Sequence, residues 1–302
     1  MRDEAIANSS PNLAGRVQPP AVSVVIPTRN RAEYLDVALA SLARQDLDAR
    51  YELIVVDDCS ADGTRAVVEG AGARYIRFEH PRGLNAARNA GVRATAAPLI
   101  AFLDDDVYAP PGWLRALVGG AERHAHGEAF GGPIRARFEG RTPSSCGRER
   151  PPITTLDLGR DDVEAKVVWG ANLAIRRRAF DRIGPFDEAV SSHGDEEDWL
   201  IALRAAGGRI VYLGAAGVDH RRTGADARMP ALAHAAYRRG RAARVTDQRR
   251  GVAPGLLREL RNLAGCAWHT VHFACPQGAI MGAHSAGRVA EAVRHGCRVG
   301  ST

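Results

Sequence analysis

The sequence is almost without lysine. Of its 41 basic residues only Lys166 is not an arginine, and a GC-rich coding sequence is sufficient cause for that choice. Cysteine is sparse: five residues (59, 146, 266, 275, 297), an odd number, far apart, with no CxxC pair. The spacing argues against a disulfide framework and against a structural zinc site, and it predicts reduced thiols in a reducing compartment. No stretch approaches the roughly 18 uninterrupted apolar residues of a spanning helix. No apolar run follows Arg2, Asp3 and Glu4, as a signal peptide would require. Aromatics make up only 6% of the chain and do not interleave with the basic residues, so the pattern of a nucleic-acid binder is missing.

What is present is a globular composition, 45% hydrophobic and 25% charged over 302 residues, enough for one large domain or two smaller ones. The net charge of +6 is unevenly placed. Residues 221–302 hold 14 Arg and 4 acids, a balance of +10, which leaves −4 upstream. The basic tail suits either a solvated helical surface or contact with an anionic partner.

Residues 1–20 are polar, with three prolines and no periodicity, and are expected to form a disordered leader. A strand–helix repeat then begins. "AVSVVIP" reads as a buried strand, and the apolar positions 35, 38, 39 and 42 have helical spacing. "LIVVDD" is a second buried strand leading to a helix near 64–70. "ARYIRFE" is a third strand, "GLNAARNAGVRATAA" a small-residue helix stopped by Pro98, and "LIAFLDDD" a fourth strand. Continuous apolar strands alternating with helices predict an α/β fold, a mostly parallel sheet flanked by helices on both faces. Beyond residue 110 the spacing predicts a helix over 112–124, a strand over 129–140, a long mobile loop over 139–162, strand–turn–strand over 165–180, and helix then strand over 193–213. Further helices follow from 229 to about 295.

In such sheets ligands sit beyond the carboxyl ends of the strands. Thr28–Asn30, Asp57–Asp58 and Asp104–Asp106 all fall there. In extended backbone, positions i and i+2 face the same way, so Asp104 and Asp106 would aim at one point and Asp105 elsewhere. Two carboxylates at a strand end suit Mg²⁺ or Mn²⁺. Asp57 and Asp58 fit either an Asx turn or a hydrogen bond to a ribose or base. Arg88, among small neighbours on a helix, fits either an exposed surface or a phosphate contact. "HGDEEDW" places four acids before a helix, more than capping needs; one of them could serve as a general base. His220, following a strand, is either structural or a third metal ligand.

Taken together, "SVVIPTRNR", "LIVVDDCSADGT", "GLNAARNAG", "FLDDDV", "GANLAIRR", "GDEEDW…RAAG" and "VDH" resemble the family 2 glycosyltransferases of the GT-A fold, from about residue 22 to 225. The resemblance implies a Rossmann-like nucleotide-binding half within a glycosyltransferase domain over 21–225, followed by a basic helical extension over 226–302. It also implies inverting, hexosyl-type transfer from a nucleotide-diphospho-sugar donor, with Mn²⁺ or Mg²⁺, to an acceptor hydroxyl in cell-envelope or polysaccharide biosynthesis. By position, Pro27, Thr28, Arg29, Asp57 and Asp58 would hold the nucleoside, and Arg88 would lie near the diphosphate. Asp104–Asp106 look like the DxD motif. Asp106 would bind the metal with Asp104 and His220, and Asp104 or Asp105 would meet the ribose or donor sugar. Trp169, Gly170 and Asn172 match the segment lining the sugar and acceptor pocket. Counting back from Gly207 puts Glu196 at the base position. Asp195 competes for that role and Glu197 stays open, since the usual pair is Glu-Asp and Ala202 stands where that helix commonly carries Arg.

Two alternatives stay beside this reading: a sugar-nucleotide pyrophosphorylase, whose glycine-rich basic loop "IPTRNRAEYL" lacks, and a non-catalytic nucleotide-sugar or glycan binder. The expected acceptor is a glycan, a lipid-linked sugar or a small molecule, and no nucleic acid is expected as partner. "LLRELRNLAGCAWHTVHFA" mixes Leu, Trp and Phe with Arg and His. It suits a helix packed on the catalytic domain, a homodimer contact, or an interfacial helix at the inner face of a membrane. The expected location is cytoplasmic, with that peripheral contact as the variant.

Overall fold

β1 (Val22–Thr28) is buried at every residue. A β-branched run with no polar alternation requires cover on both faces, and the fold supplies it. A computed structural model describes residues 19–140, 144, 146–148, 152–189 and 195–299, without the side chains of Asp195 and 295–299. The leader expected over 1–20 falls almost wholly outside the described residues. In chain order follow α1 (Ala32–Leu42), β2 (Tyr51–Asp57), α2 (Thr64–Gly70), β3 (Arg74–Arg77), α3 (Leu84–Arg93), β4 (Leu99–Leu103), β5 (Val107–Tyr108), α4 (Trp113–Arg123), β6 (Gly127–Gly131), β7 (Ile134–Glu139), β8 (Val163–Ala165), β9 (Asn172–Arg176), α5 (Arg177–Ile183), α6 (Asp195–Ala205), β10 (Arg209–Tyr212), β11 (Val218–Thr223), α7 (Met229–Arg249), α8 (Leu256–His272) and α9 (Pro276–Val299).

The large sheet has the order β3-β2-β1-β4-β9-β6-β10-β8. β3, β2, β1 and β4 run parallel, β9 runs against both β4 and β6, and β10 is parallel to β6. A small sheet, β5-β11-β7, stands beside it. Period-two alternation divides the core between the faces of the large sheet. Val22, Val24 and Ile26 pack with Leu35, Leu39 and Leu117 on one side. Val25, Ile54 and Phe102 pack with Ala87, Phe186 and Leu203 on the other. The small residues of α3 matter here: a Cβ on Gly91 would fall 2.2 Å from Val25 Cγ1, so the helix lies tight on β1.

The second half departs from the sequence expectation in four places. The strand expected over 129–140 is two strands, β6 and β7, in different sheets. Between them Gly132 passes so close to the 213–216 turn that a Cβ would meet the Ala216 carbonyl at 2.2 Å. The run 177–180, expected to be extended, opens α5. His220 lies inside β11 rather than after a strand. The connection expected to be mobile over 139–162 is anchored in its described parts: Ile134 and Leu156 exchange backbone hydrogen bonds of 2.8 and 3.1 Å, and Ile153 is buried with Leu232, Ala236 and Ile280.

The C-terminal helices pack on one another. α7 and α9 meet through glycines: a Cβ on Gly240 would lie 1.9 Å from the His284 carbonyl, and one on Gly287 would lie 2.1 Å from that of Tyr237. No helix among the described residues is long and apolar enough to cross a membrane.

Candidate active site

β4 ends at Leu103, and the next three residues form a turn into β5. The alternation expected of a continuing strand therefore stops before the acids. Asp105 does not face away: with Asp106 it flanks one guanidinium, Arg31, at 2.9 and 3.0 Å. Thr28 Oγ1 also donates to Asp105, at 2.8 Å. Asp104 leans toward Arg88, 4.0 Å away. Asp106 is nearly inaccessible. Its Oδ2 accepts from Arg31 and Arg222. Its Oδ1 makes no hydrogen bond and stands 3.3 Å from His220 Nε2. The ring is held from behind, because Nδ1 donates to the Thr154 carbonyl at 3.0 Å.

Burial alone would raise both carboxyls. For Asp106 the surrounding His220, Arg31 and Arg222 outweigh it and hold the group well below the usual range. For Asp105 burial prevails over Arg31, with Asp106 adding repulsion, and its pKa is pushed up to about 7. His220 is raised, because the adjacent Asp106 charge outweighs burial.

Arg88 is 2% exposed, not the surface side chain that an isolated helix suggests. Its Nη1 lies 3.6 Å from Glu196 Oε2, and the Gly170 N–H donates to Glu196 Oε1 at 2.9 Å. Gly170 leaves room for the Arg88 guanidinium: a Cβ there would sit 2.1 Å from Arg88 Nη2 and 3.3 Å from Glu196 Cδ. The segment before α6 is pinned to α3 by Asn89, which bonds both backbone groups of Phe186 at 2.9 and 3.0 Å, and by Asn85, which donates to the Asp187 carbonyl. The remaining acids of "DEEDW" divide. Glu197 and Asp198 bind Arg250 at the end of α7 at 3.1 and 2.9 Å, which accounts for acids beyond the needs of capping. The Asp195 side chain lies outside the described residues.

Pro27, Arg31, Arg88, Asp104, Asp105, Asp106, Trp169, Glu196 and His220 line one cavity of about 640 Å³, together with Arg222, His234, Arg238 and Arg239. That volume suits a bound small molecule. Arg29, Asp57, Asp58 and Asn172 are not among the residues that line it. Asp58 accepts from the Arg82 and Gly83 N–H groups ahead of α3, at 2.6 and 3.1 Å. Asp57 accepts from the Ser60 N–H, three residues on, and from Tyr75 OH; the i to i+2 bond that opens α2 is made by Asp62 to the Thr64 N–H. Arg29 is exposed. Asn172 accepts from Trp113 Nε1 at 3.0 Å and donates to the Ala216 carbonyl at 2.8 Å, holding β9 to its neighbours. Sequence reasoning missed Arg31, Arg222, Arg238 and Arg239. The one signal for the last three was the basic excess after residue 220.

The family model described as "Glycosyl transferase family 2" matches residues 23–184, over half the chain. The chain belongs to glycosyl transferase family 2. Validoxylamine A glucosyltransferase of Streptomyces hygroscopicus subsp. jinggangensis is 32% identical over 210 residues, 59% of this chain and 50% of that protein. Pre-mycofactocin glycosyltransferase of Mycobacterium tuberculosis is 31% identical, over 66% of this chain and 42% of that protein. This family 2 chain thus spans about half the length of these relatives. Among solved structures, the mannosyltransferase PcManGT of Pyrobaculum calidifontis, in complex with GDP-Man and Mn²⁺, superposes with TM-score 0.56 at 16% identity, covering 95% of this chain and 76% of that one. GalNAc-T7 with UDP, GalNAc and Mn²⁺ also gives 0.56 at 16% identity, covering 75% and 48%. These likenesses establish the GT-A-type fold of the chain.

The residues fit a divalent cation. Asp106 Oδ1 is buried, makes no hydrogen bond and stands 3.3 Å from His220 Nε2; both residues line the cavity, and a hard oxygen beside an imidazole nitrogen suits such an ion.

Proposed function

We propose that this chain is an inverting glycosyltransferase that moves a sugar from a nucleotide-diphospho-sugar to an acceptor hydroxyl, with Mn²⁺ or Mg²⁺ held by Asp106 and His220 and approached by Asp104. One observation carries the reading: Asp106, His220, Arg88 and Glu196, from four different parts of the fold, line the same cavity. When bound, the cation would neutralise charge on the departing diphosphate.

The chain's own residues supply the rest. Arg31, Arg222, Arg238 and Arg239 give the cavity a cationic wall suited to a diphosphate. Glu196 is the proposed base. Its two oxygens are oriented by the Gly170 N–H and Arg88, and a carboxylate so fixed can take the acceptor proton as the oxygen attacks the anomeric carbon. A single displacement of that kind inverts configuration. Gly170, packed between Arg88 and Glu196, keeps the base and the diphosphate contact together.

The test is a panel of UDP-, GDP- and dTDP-sugars with Mn²⁺, read for sugar release and for thermal stabilisation. One donor should be turned over slowly without acceptor, and Asp106→Ala should abolish both that turnover and the metal-dependent stabilisation. Tight nucleotide binding with no release from any sugar would favour a non-catalytic binder instead.

A further inference from the structure

We propose that Cys146, His269 and Cys275 bind one soft transition-metal ion of the zinc class, clipping the connection between β7 and β8 to the α8–α9 turn. A ligand atom from each of the three residues lies within 4.8 Å of the other two, the only such His/Cys/Asp/Glu group among the described residues. Cys146 Sγ and His269 Nε2 are 3.4 Å apart. A tetrahedral ion with metal–sulfur bonds of about 2.3 Å and metal–nitrogen bonds of about 2.0 Å spans an edge of about 3.5 Å between such ligands. The sequence hid the site because its ligands come from distant stretches with no CxxC pair.

The surroundings are built rather than incidental. Cys275 is 2% exposed and follows Ala274, whose φ of +45° is a left-handed conformation that a residue with a Cβ adopts only at a cost. Gly278, in the first turn of α9, makes room for Thr270 and the imidazole: a Cβ there would lie 2.6 Å from Thr270 Oγ1 and 2.9 Å from His269 Cδ2. The ring also rests on Phe273, centroids 5.0 Å apart, and Phe273 carries the Arg148 guanidinium at 4.1 Å. The segment bearing Cys146 therefore already docks at this turn. Cys146 is exposed and Cys275 buried, which gives an ion a route in and a closed end.

Two thiolates and an imidazole select zinc-like ions over Mg²⁺ and Mn²⁺, so this site is chemically distinct from the carboxylate cavity. Binding would release the two thiol protons to solvent. Its consequence reaches the cavity, because the same connection goes on to Pro152 and Thr154, which line it, and the Thr154 carbonyl orients His220.

The full chain, purified reduced and stripped with chelator, is titrated with Co²⁺. One equivalent should produce a thiolate-to-cobalt charge-transfer band that Zn²⁺ abolishes. The band should persist in Asp106→Ala, vanish in Cys146→Ser, which changes an exposed side chain, and need at least tenfold more Co²⁺ in His269→Asn. A wild-type chain without the band, a band unchanged in Cys146→Ser, or a Cys146–Cys275 disulfide found by intact mass in the reduced preparation would overturn the proposal.

Discussion

Glu196 and its two donors can be separated experimentally because each fails differently. Glu196→Gln keeps the shape and the Gly170 hydrogen bond but removes the basic oxygen. Donor-induced thermal stabilisation should survive while turnover falls by about 10²–10⁴, the usual contribution of a positioned base. Gly170→Ala places a methyl where Arg88 now lies. It should weaken donor binding and turnover together, and normal kinetics in that variant would dissociate Gly170 from the site. The Asp106–His220 pair adds a pH signature. His220 titrates above its ordinary 6.5 and Asp106 below its ordinary 3.8. The histidine's contribution to stability is therefore complete below 6.5 and lost as pH rises through the raised value. The aspartate's is complete above 3.8 and lost as pH falls through the lowered one. The urea midpoint of His220→Gln should trail wild type most between these limits and least at alkaline pH; equal gaps at pH 5.5 and 9 would contradict the ion pair.

Among the elements, α7, α8 and α9 pose the clearest energetic question. Glu259 on α8 is 0% exposed. It accepts from Arg288 on α9 at 2.7 Å and from Arg244 on α7 at 3.3 Å, while Arg288 also binds Asp247. The three helices are thus joined through a buried carboxylate that, with Asp247, balances two guanidiniums. Glu259→Gln removes that charge and leaves the arginines facing each other. The expected loss is about 3–5 kcal/mol, the cost of breaking a buried pair from one side, seen as a lower urea midpoint. A midpoint unchanged from wild type would mean that water reaches the cluster. The sequence-based boundary was sound at the Gly207 stop of α6, but α3 ends at Arg93, four residues short of the end that Pro98 suggested. It was weaker again at α5, where an arginine-rich run has no preference strong enough to reveal that β9 stops at Arg176.

For the molecule as a whole, α8 has its acid inside and its apolar side chains outside. Leu257, Trp268 and Val271 are 79, 65 and 81% exposed. An apolar row beside arginines suits the surface of an anionic bilayer. The full chain should co-sediment with vesicles containing anionic phospholipid, and Leu257→Glu with Trp268→Glu should release it. Equal recovery of both proteins with the vesicles would rule out this face as the contact, and concentration-dependent dimerisation in its place would assign the face to a second copy.

Some of this was legible in the linear chain because it depends on neighbours in sequence. Continuous apolar runs alternating with a 3.6-residue period set the strand–helix repeat from β1 to β4, and the acids after β4 marked the crevice. The roles within it depended on long-range packing. A turn after Leu103 brought Asp105 to Arg31, and a glycine at 170 brought Arg88 to Glu196. Asp57, Asp58 and Asn172 were turned toward backbone and neighbouring side chains. Cys146 met His269 and Cys275 only through the docking of distant segments. Local periodicity encodes which face of an element is buried; which partner that face meets is set by the closure of the whole chain, and side-chain chemistry follows the partner.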